Sequence, residues 1–150
     1  MITKKVSTAS RKETITFAKA LGELINEPIT ILLRGELAAG KTTFVQGLAL
    51  GLEVTAKVSS PTFTIMKVYQ GRLAIYHLDC YRLEGISQDL GFEEYLNDGG
   101  VCVIEWPDFI THLLPRECVE IELVVTGENC REITIKATGK VCEKIVEELP

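Results

Sequence analysis

Three observations predict an α/β fold with a mixed, largely parallel central sheet. Ile29 to Leu33 and Val101 to Ile104 are short apolar runs without alternation, the composition of parallel strands covered on both faces. Helical periodicity stands on either side of the first run. Val119 to Val125 and Ile133 to Thr138 alternate apolar with polar residues around Gly127-Glu128-Asn129, an antiparallel hairpin expected at one end of the sheet.

The elements follow in order. Residues 1 to 9 are short and polar and carry no signal for an element. Ser10-Arg11-Lys12-Glu13 matches the S-x-x-E capping box, in which Ser caps the first turn and Glu reaches back to the Ser N–H. Ile15, Ala18, Leu21 and Ile25 then recur on one helical face until Asn26-Glu27-Pro28 stops the helix. After the strand ending at Leu33, a second helix carries Phe44, Val45, Leu48, Ala49 and Leu52 and ends near Gly51, which accepts a left-handed conformation. Pro61 marks a loop, residues 62 to 78 read as a hairpin turning at Gln70-Gly71-Arg72, and Ile86 to Leu96 read as one or two short helices. A closing helix from about Lys140 is expected to bury Val141, Ile145 and Leu149.

Between the first strand and its helix stands Gly35-Glu36-Leu37-Ala38-Ala39-Gly40-Lys41-Thr42-Thr43, a match to G-x-x-x-x-G-K-[ST] in the strand–loop–helix context that the phosphate-binding loop requires. A chance match in a chain of this composition is roughly a 1% event. The loop makes the expected architecture a P-loop NTPase-like three-layer fold. Successive backbone N–H groups there form an anion-binding concavity, and the helix beginning near Lys41 points its positive end at the same place. Lys41 would meet the β- and γ-phosphates, and the Thr42 hydroxyl would join the shell of Mg²⁺. A plain Gly-rich turn with a surface lysine leaves the Lys-Thr pair directly after the second Gly unexplained.

With 150 residues, 46% apolar and 25% charged, the chain is expected to form one domain over 1–150. The formal charge is −5 and the basic residues are scattered, which argues against direct, tight nucleic-acid binding. The five cysteines are odd in number and never form C-x-x-C, and no signal peptide or membrane-length apolar run occurs; the expected location is cytoplasmic, with reduced thiols and no zinc site.

A phosphate loop binds; turnover needs an acid at a second strand end and a group that orients water. Glu105, at the tip of Val101 to Ile104, and Asp79, ending the strand from Leu73, are the candidates; either could hold the metal while the other positions water or a switch loop. Thr62, beside Pro61, is a candidate switch hydroxyl for the γ-phosphate, against the plainer role of capping its own turn. His77 shares a strand face with Asp79 and reads as a structural histidine, and Trp106, the single Trp, reads as a packing residue. Neither N-K-x-D nor D-x-x-G occurs, which favours ATP over GTP.

Gly35-Glu36-Leu37 through Lys41-Thr42-Thr43-Phe44, Ser60-Pro61-Thr62-Phe63-Thr64, His77-Leu78-Asp79-Cys80-Tyr81-Arg82-Leu83 and Glu105-Trp106-Pro107 together resemble the TsaE (YjeE) family, over nearly the whole chain. That family is a small P-loop ATPase of bacterial N6-threonylcarbamoyladenosine synthesis beside the tRNA anticodon. The resemblance implies ATP or ADP and Mg²⁺ on Gly35 to Thr43, with Thr42 and Glu105 at the metal. It also implies Asp79 near the catalytic centre, a switch-like loop at Ser60 to Thr62, and nucleotide contacts from Ser10 and from Cys130 and Arg131. The implied partner is the TsaB–TsaD pair, in which TsaD carries out the transfer to tRNA, so tRNA is met only through the complex. One departure is Ala38, where the family usually has Gly; at positive φ its Cβ costs about 1 kcal/mol. Two other classes share the loop: a small-molecule kinase, which would bring clustered arginines that this chain lacks, and a non-catalytic nucleotide-dependent adaptor.

Overall fold

The computed structural model describes residues 1–36, 39–56, 66–80, 99–108 and 114–150. In chain order these form β1 (Ile2–Thr8), α1 (Arg11–Leu24), β2 (Thr30–Arg34), α2 (Lys41–Gly51), β3 (Met66–Tyr69), β4 (Ile75–Asp79), β5 (Val101–Glu105), β6 (Cys118–Val125), β7 (Arg131–Thr138) and α3 (Lys140–Glu147). The strands make one sheet in the order β1-β7-β6-β2-β5-β4-β3. β2 pairs in parallel with both β5 and β6, and β4 pairs in parallel with β5. Because β1 and β6 are each antiparallel to β7, five of the seven strands point the same way. The expected mixed, largely parallel sheet is the one observed, with the β6–β7 hairpin near one end.

That end carries a strand the sequence did not announce. β1 pairs with β7 from Ile2↔Ala137 to Thr8↔Arg131. Ile2, Lys4 and Val6 are half-buried and alternate with exposed Thr3, Lys5 and Ser7. An edge strand with one wetted face needs few apolar residues, and lysines on it discourage further pairing. A polar-looking opening stretch is therefore compatible with a strand.

The two parities of the inner strands bury different faces. Ile31, Leu33, Val103 and Ile121 join Leu21, Phe44, Leu48 and Ile145 of the three helices in one core. Leu32, Tyr76, Leu78, Cys102 and Ile104 line the opposite face. The helices expected within residues 86 to 96, which would supply the third layer there, lie outside the described residues. All five cysteines are free thiols.

Glycines set how closely α1 and α2 cross. A Cβ on Gly47 would meet the Ile15 carbonyl oxygen at 2.5 Å, and one on Gly51 would meet that of Lys19 at 2.3 Å. Gly51 is thus the last residue of α2 for reasons of space; the left-handed residue beyond the helix is Glu53, at φ 63°. Two further expectations shift. The carboxylate of Glu13 accepts from the Ala9 N–H rather than that of Ser10, while the Ser10 hydroxyl accepts from the Glu13 N–H as expected. In α3, Ile145 and Leu149 are buried as expected, but Val141 is exposed and Cys142 and Val146 complete the buried stripe instead.

The β3–β4 turn locks this crossing. The Arg72 guanidinium donates to the carbonyls of Gly22 (3.0 Å), Ile25 (3.0 Å) and Gly51 (3.0 Å), at the carboxyl ends of both helices. A cation there meets the negative ends of two helix dipoles and adds a donor to carbonyls of the last turns, of which that of Gly22 also accepts from the Ile25 N–H. Arg72→Ala is expected to destabilise the protein by about 2–4 kcal/mol, and Arg72→Lys to recover only part, since one ammonium cannot serve carbonyls fanned around a planar fork. Urea midpoints of the three proteins check this; an unchanged midpoint for the alanine variant contradicts it.

Candidate functional site

The parallel strands β2, β4 and β5 end at one edge of the sheet, where the crevice of an open α/β sheet lies. β2 runs out at Arg34 into Gly35, and the chain returns at Gly40 to begin α2 with Lys41. Gly40 stands at the helix N-cap with φ 99°, a conformation that glycine adopts without the penalty of a Cβ. It also has no side chain to occupy the first-turn amides of α2, so these stay available to an anion. Leu37 and Ala38, and with Ala38 the departure noted above, lie outside the described residues.

Lys41 is only 7% exposed. Its Nζ donates to the Gly35 carbonyl at 2.7 Å and lies 4.1 Å from the centroid of the Trp106 ring. Burial lowers its pKa below the ordinary lysine value, and the charges of Glu105, Asp79 and Glu36 oppose that shift. The same three carboxylates are thereby within electrostatic reach of the ammonium. Trp106 is brought there by an unusual backbone: φ is 57°, a left-handed conformation that is costly for a bulky residue and persists only where surroundings enforce it. Arg34 supplies one such constraint downstream, donating to Asp108 and Glu120 at 3.1 Å each.

Register explains the acids. Asp79 and Glu105 are direct partners at the ends of β4 and β5, so their side chains leave the sheet on one face. Asp79 is half-buried; Glu105 is 4% exposed, not a strand-end carboxylate in solvent. His77, fully buried and two residues before Asp79, holds Glu105 Oε2 at 2.5 Å from its Nε2. Cys80 follows Asp79. Burial, then the charges of Asp79 and Glu105, push its thiol up to about 12.

Among the described residues, no three His, Cys, Asp or Glu side chains converge to hold a metal alone. Two carboxylates beside a phosphate-type loop and the Thr42 position in the first helical turn make an all-oxygen donor set. That fits Mg²⁺, which binds through one or two carboxylates and completes its shell with phosphates and water.

The remaining expected residues divide. Thr42 and Thr43 are partly buried in the first turn of α2. Arg131 reaches the loop: its Nε donates to the Ala39 carbonyl at 2.8 Å and its Nη1 to the Cys130 carbonyl at 2.8 Å, so the β6–β7 turn braces the loop from one side. Ser10 serves as the cap of α1. Its neighbours Arg11 and Thr14, with Gly40, Thr43, Asn129 and Arg131, line a cavity of about 140 Å³ beside the loop. A larger cavity of about 610 Å³ opens across the ends of β2, β5 and β6, walled by Gly35, Glu36, Ala39, Trp106 and Val125. Ser60, Pro61 and Thr62 lie outside the described residues. Sequence reasoning did not find the Arg34 tether, Arg11, Thr14 or Asn129, which carry no motif, and it treated His77 as a structural residue.

Arg131→Ala is expected to free the loop at Ala39: faster amide hydrogen exchange at Ala39 and Gly40 and a stability loss of about 1–3 kcal/mol, the range for a lost charged hydrogen bond. Exchange rates equal to those of the unaltered protein contradict the brace.

Residues 8–133 match the family described as Threonylcarbamoyl adenosine biosynthesis protein TsaE. The chain is 44% identical over 124 residues to the tRNA threonylcarbamoyladenosine biosynthesis protein TsaE of Treponema pallidum (strain Nichols), covering 81% of this chain and 92% of that one. It is 44% identical over 146 residues to the protein of the same name from Bacillus subtilis (strain 168), covering 97% and 92%. Its fold superposes on the crystal structure of Bacillus subtilis YdiB with a TM-score of 0.83 at 39% identity, over 99% of this chain and 94% of that one.

Proposed function

The chain belongs to the TsaE family, and from that premise we propose that it is a Mg²⁺-dependent ATPase supporting N6-threonylcarbamoyladenosine formation in tRNA. The observation that carries this reading is the buried Lys41 ammonium, turned back onto the Gly35 carbonyl at the open N-terminus of α2, beside Asp79 and Glu105. A buried cation held by a carbonyl and an aromatic face is incompletely compensated. A polyphosphate tail would give it a full counter-charge and meet the first-turn amides at the same time.

Catalysis in this class rests on positioning and charge neutralisation. Lys41 leaves the Gly35 carbonyl for the β- and γ-phosphates, and the amides of residues 40 to 43 take the remaining oxygens. Thr42 and Glu105 would hold Mg²⁺, which when bound supplies positive charge to the departing phosphate. Asp79, directly across from Glu105, orients the attacking water, and Thr62 serves as the switch hydroxyl. The cavity lined by Arg11, Thr14, Asn129 and Arg131 beside the loop would take the rest of the nucleotide, with Ser10 and Cys130 as the neighbouring contacts.

The relatives' names place them in tRNA threonylcarbamoyladenosine biosynthesis. We assign this chain the corresponding partner, the TsaB–TsaD heterodimer, in the cytoplasm, with low turnover until that pair is present. With a formal charge of −5 and scattered basic residues, tRNA is reached through the complex.

Phosphate release measured with and without the partner pair tests the reading. Turnover should rise when the pair is added, and Glu105→Ala should lower it by on the order of 10²–10³-fold, with the affinity for ADP in the absence of metal changed less than about tenfold. Unchanged turnover in that variant removes Glu105 from the site. Absence of hydrolysis in either state makes the protein a nucleotide-dependent adaptor, and phosphate appearing on a metabolite makes it a kinase.

A further inference from the structure

His77 is fully buried in the sheet, yet among the described residues only one of its ring nitrogens is used. Nε2 lies 2.5 Å from Glu105 Oε2, while Nδ1 has no hydrogen-bond partner among them. A carboxylate oxygen accepts, so the proton of this bond belongs to Nε2. Leaving a buried polar nitrogen unpaired costs about 1–3 kcal/mol, a cost that an apolar residue at this central position would avoid. Stability alone does not account for a histidine here.

The strand geometry shows what the imidazole does. His77 is level with Val103, and Glu105 is level with Asp79, so the imidazole reaches diagonally along the sheet to the next position on the same face of β5. Among the described residues, this is the only hydrogen bond made by the Glu105 carboxylate, and it occupies one oxygen. A buried carboxylate with one oxygen fixed loses rotation about its last side-chain bond. Its second oxygen is then held in one direction without being consumed.

We propose that His77 is a positioning residue for Glu105, fixing Oε2 so that Oε1 is presented to the divalent cation that accompanies the bound nucleotide. This rests on the reading of the loop and its two carboxylates as a MgATP site. Partners that orient a metal-liganding side chain typically contribute 10–100-fold in metal affinity or activity.

The test uses calorimetric titration of ADP with and without Mg²⁺, beside single-turnover hydrolysis of ATP. His77→Phe keeps a ring of similar size and removes the donor. It should bind ADP without metal as the unaltered protein does, lose about 10–100-fold of the Mg²⁺-dependent gain in affinity, and lose a similar factor in the single-turnover hydrolysis rate at saturating MgATP. His77→Gln, whose amide can place an N–H near the Nε2 position, should recover most of both; His77→Asn, whose amide stops at the Nδ1 position, should not. In a Glu105→Ala background, His77→Phe should add no further loss, since an effect exerted wholly through Glu105 has nothing left to act on.

A Mg²⁺-dependent gain unchanged in His77→Phe and His77→Asn overturns the proposal, as does an additive loss in the double variant. So does a fall of metal-free affinity and melting temperature together in Phe, Gln and Asn variants, which would mark a purely structural histidine. If the unaltered protein itself binds ADP with no dependence on Mg²⁺, the MgATP reading fails first, and that result is distinct from any defect confined to the His77 variants.

Discussion

The rest of the structure depends on the burial of opposite charges at one edge of a parallel sheet. Lys41 and Glu105 are both nearly removed from water, Asp79 lies directly opposite Glu105, and none of them could be there alone. An isolated ion in such a place is strongly disfavoured, so each needs partners positioned by something rigid. The register of β4, β5 and β2 provides that rigidity, because strands running in one direction deliver their last residues to the same edge. Lys41 then finds the Gly35 carbonyl and the Trp106 ring, and Glu105 finds the His77 imidazole.

The helices hold the other half of the arrangement. α2 can present its first turn to the loop only if its position against the sheet is fixed. Close contact at Gly47 and Gly51, and the Arg72 guanidinium spanning the carboxyl ends of α1 and α2, fix it from behind. Arg131 braces the loop from the β6–β7 side, and Arg34 ties Asp108, just past Trp106, to the end of β2. Three arginines thus join segments distant in sequence through backbone carbonyls and carboxylates. Their planar, multi-donor groups suit that task better than lysine does.

Much of this was legible in the chain itself. Unbroken apolar runs gave β2 and β5, alternation gave β6 and β7, and the Gly-to-Thr loop between a strand and a helix located the candidate site together with Asp79 and Glu105. β1 was hidden because a one-sided edge strand with lysines resembles a polar leader. The role of Gly51 was misread because sequence shows that a glycine is tolerated, not whether conformation or space demands it. In α3 only Val141 was misplaced, because Val141 and Cys142 are both plausible core residues, and only packing against β1 and β7 chooses between them. His77 was visible on the face of Asp79, but its contact with Glu105 depends on the β4–β5 register, which no local pattern encodes.

The central claim is that main-chain amides, the Lys41 ammonium and a magnesium-bearing carboxylate edge together grip a nucleoside triphosphate tail. Isothermal calorimetry of ATP and ADP with folded protein in the presence of Mg²⁺ tests it most directly. The account predicts saturable binding of one nucleotide per chain that disappears in Lys41→Ala while the fold is retained. No heat of association with well-folded protein, or binding undiminished in Lys41→Ala, would contradict it.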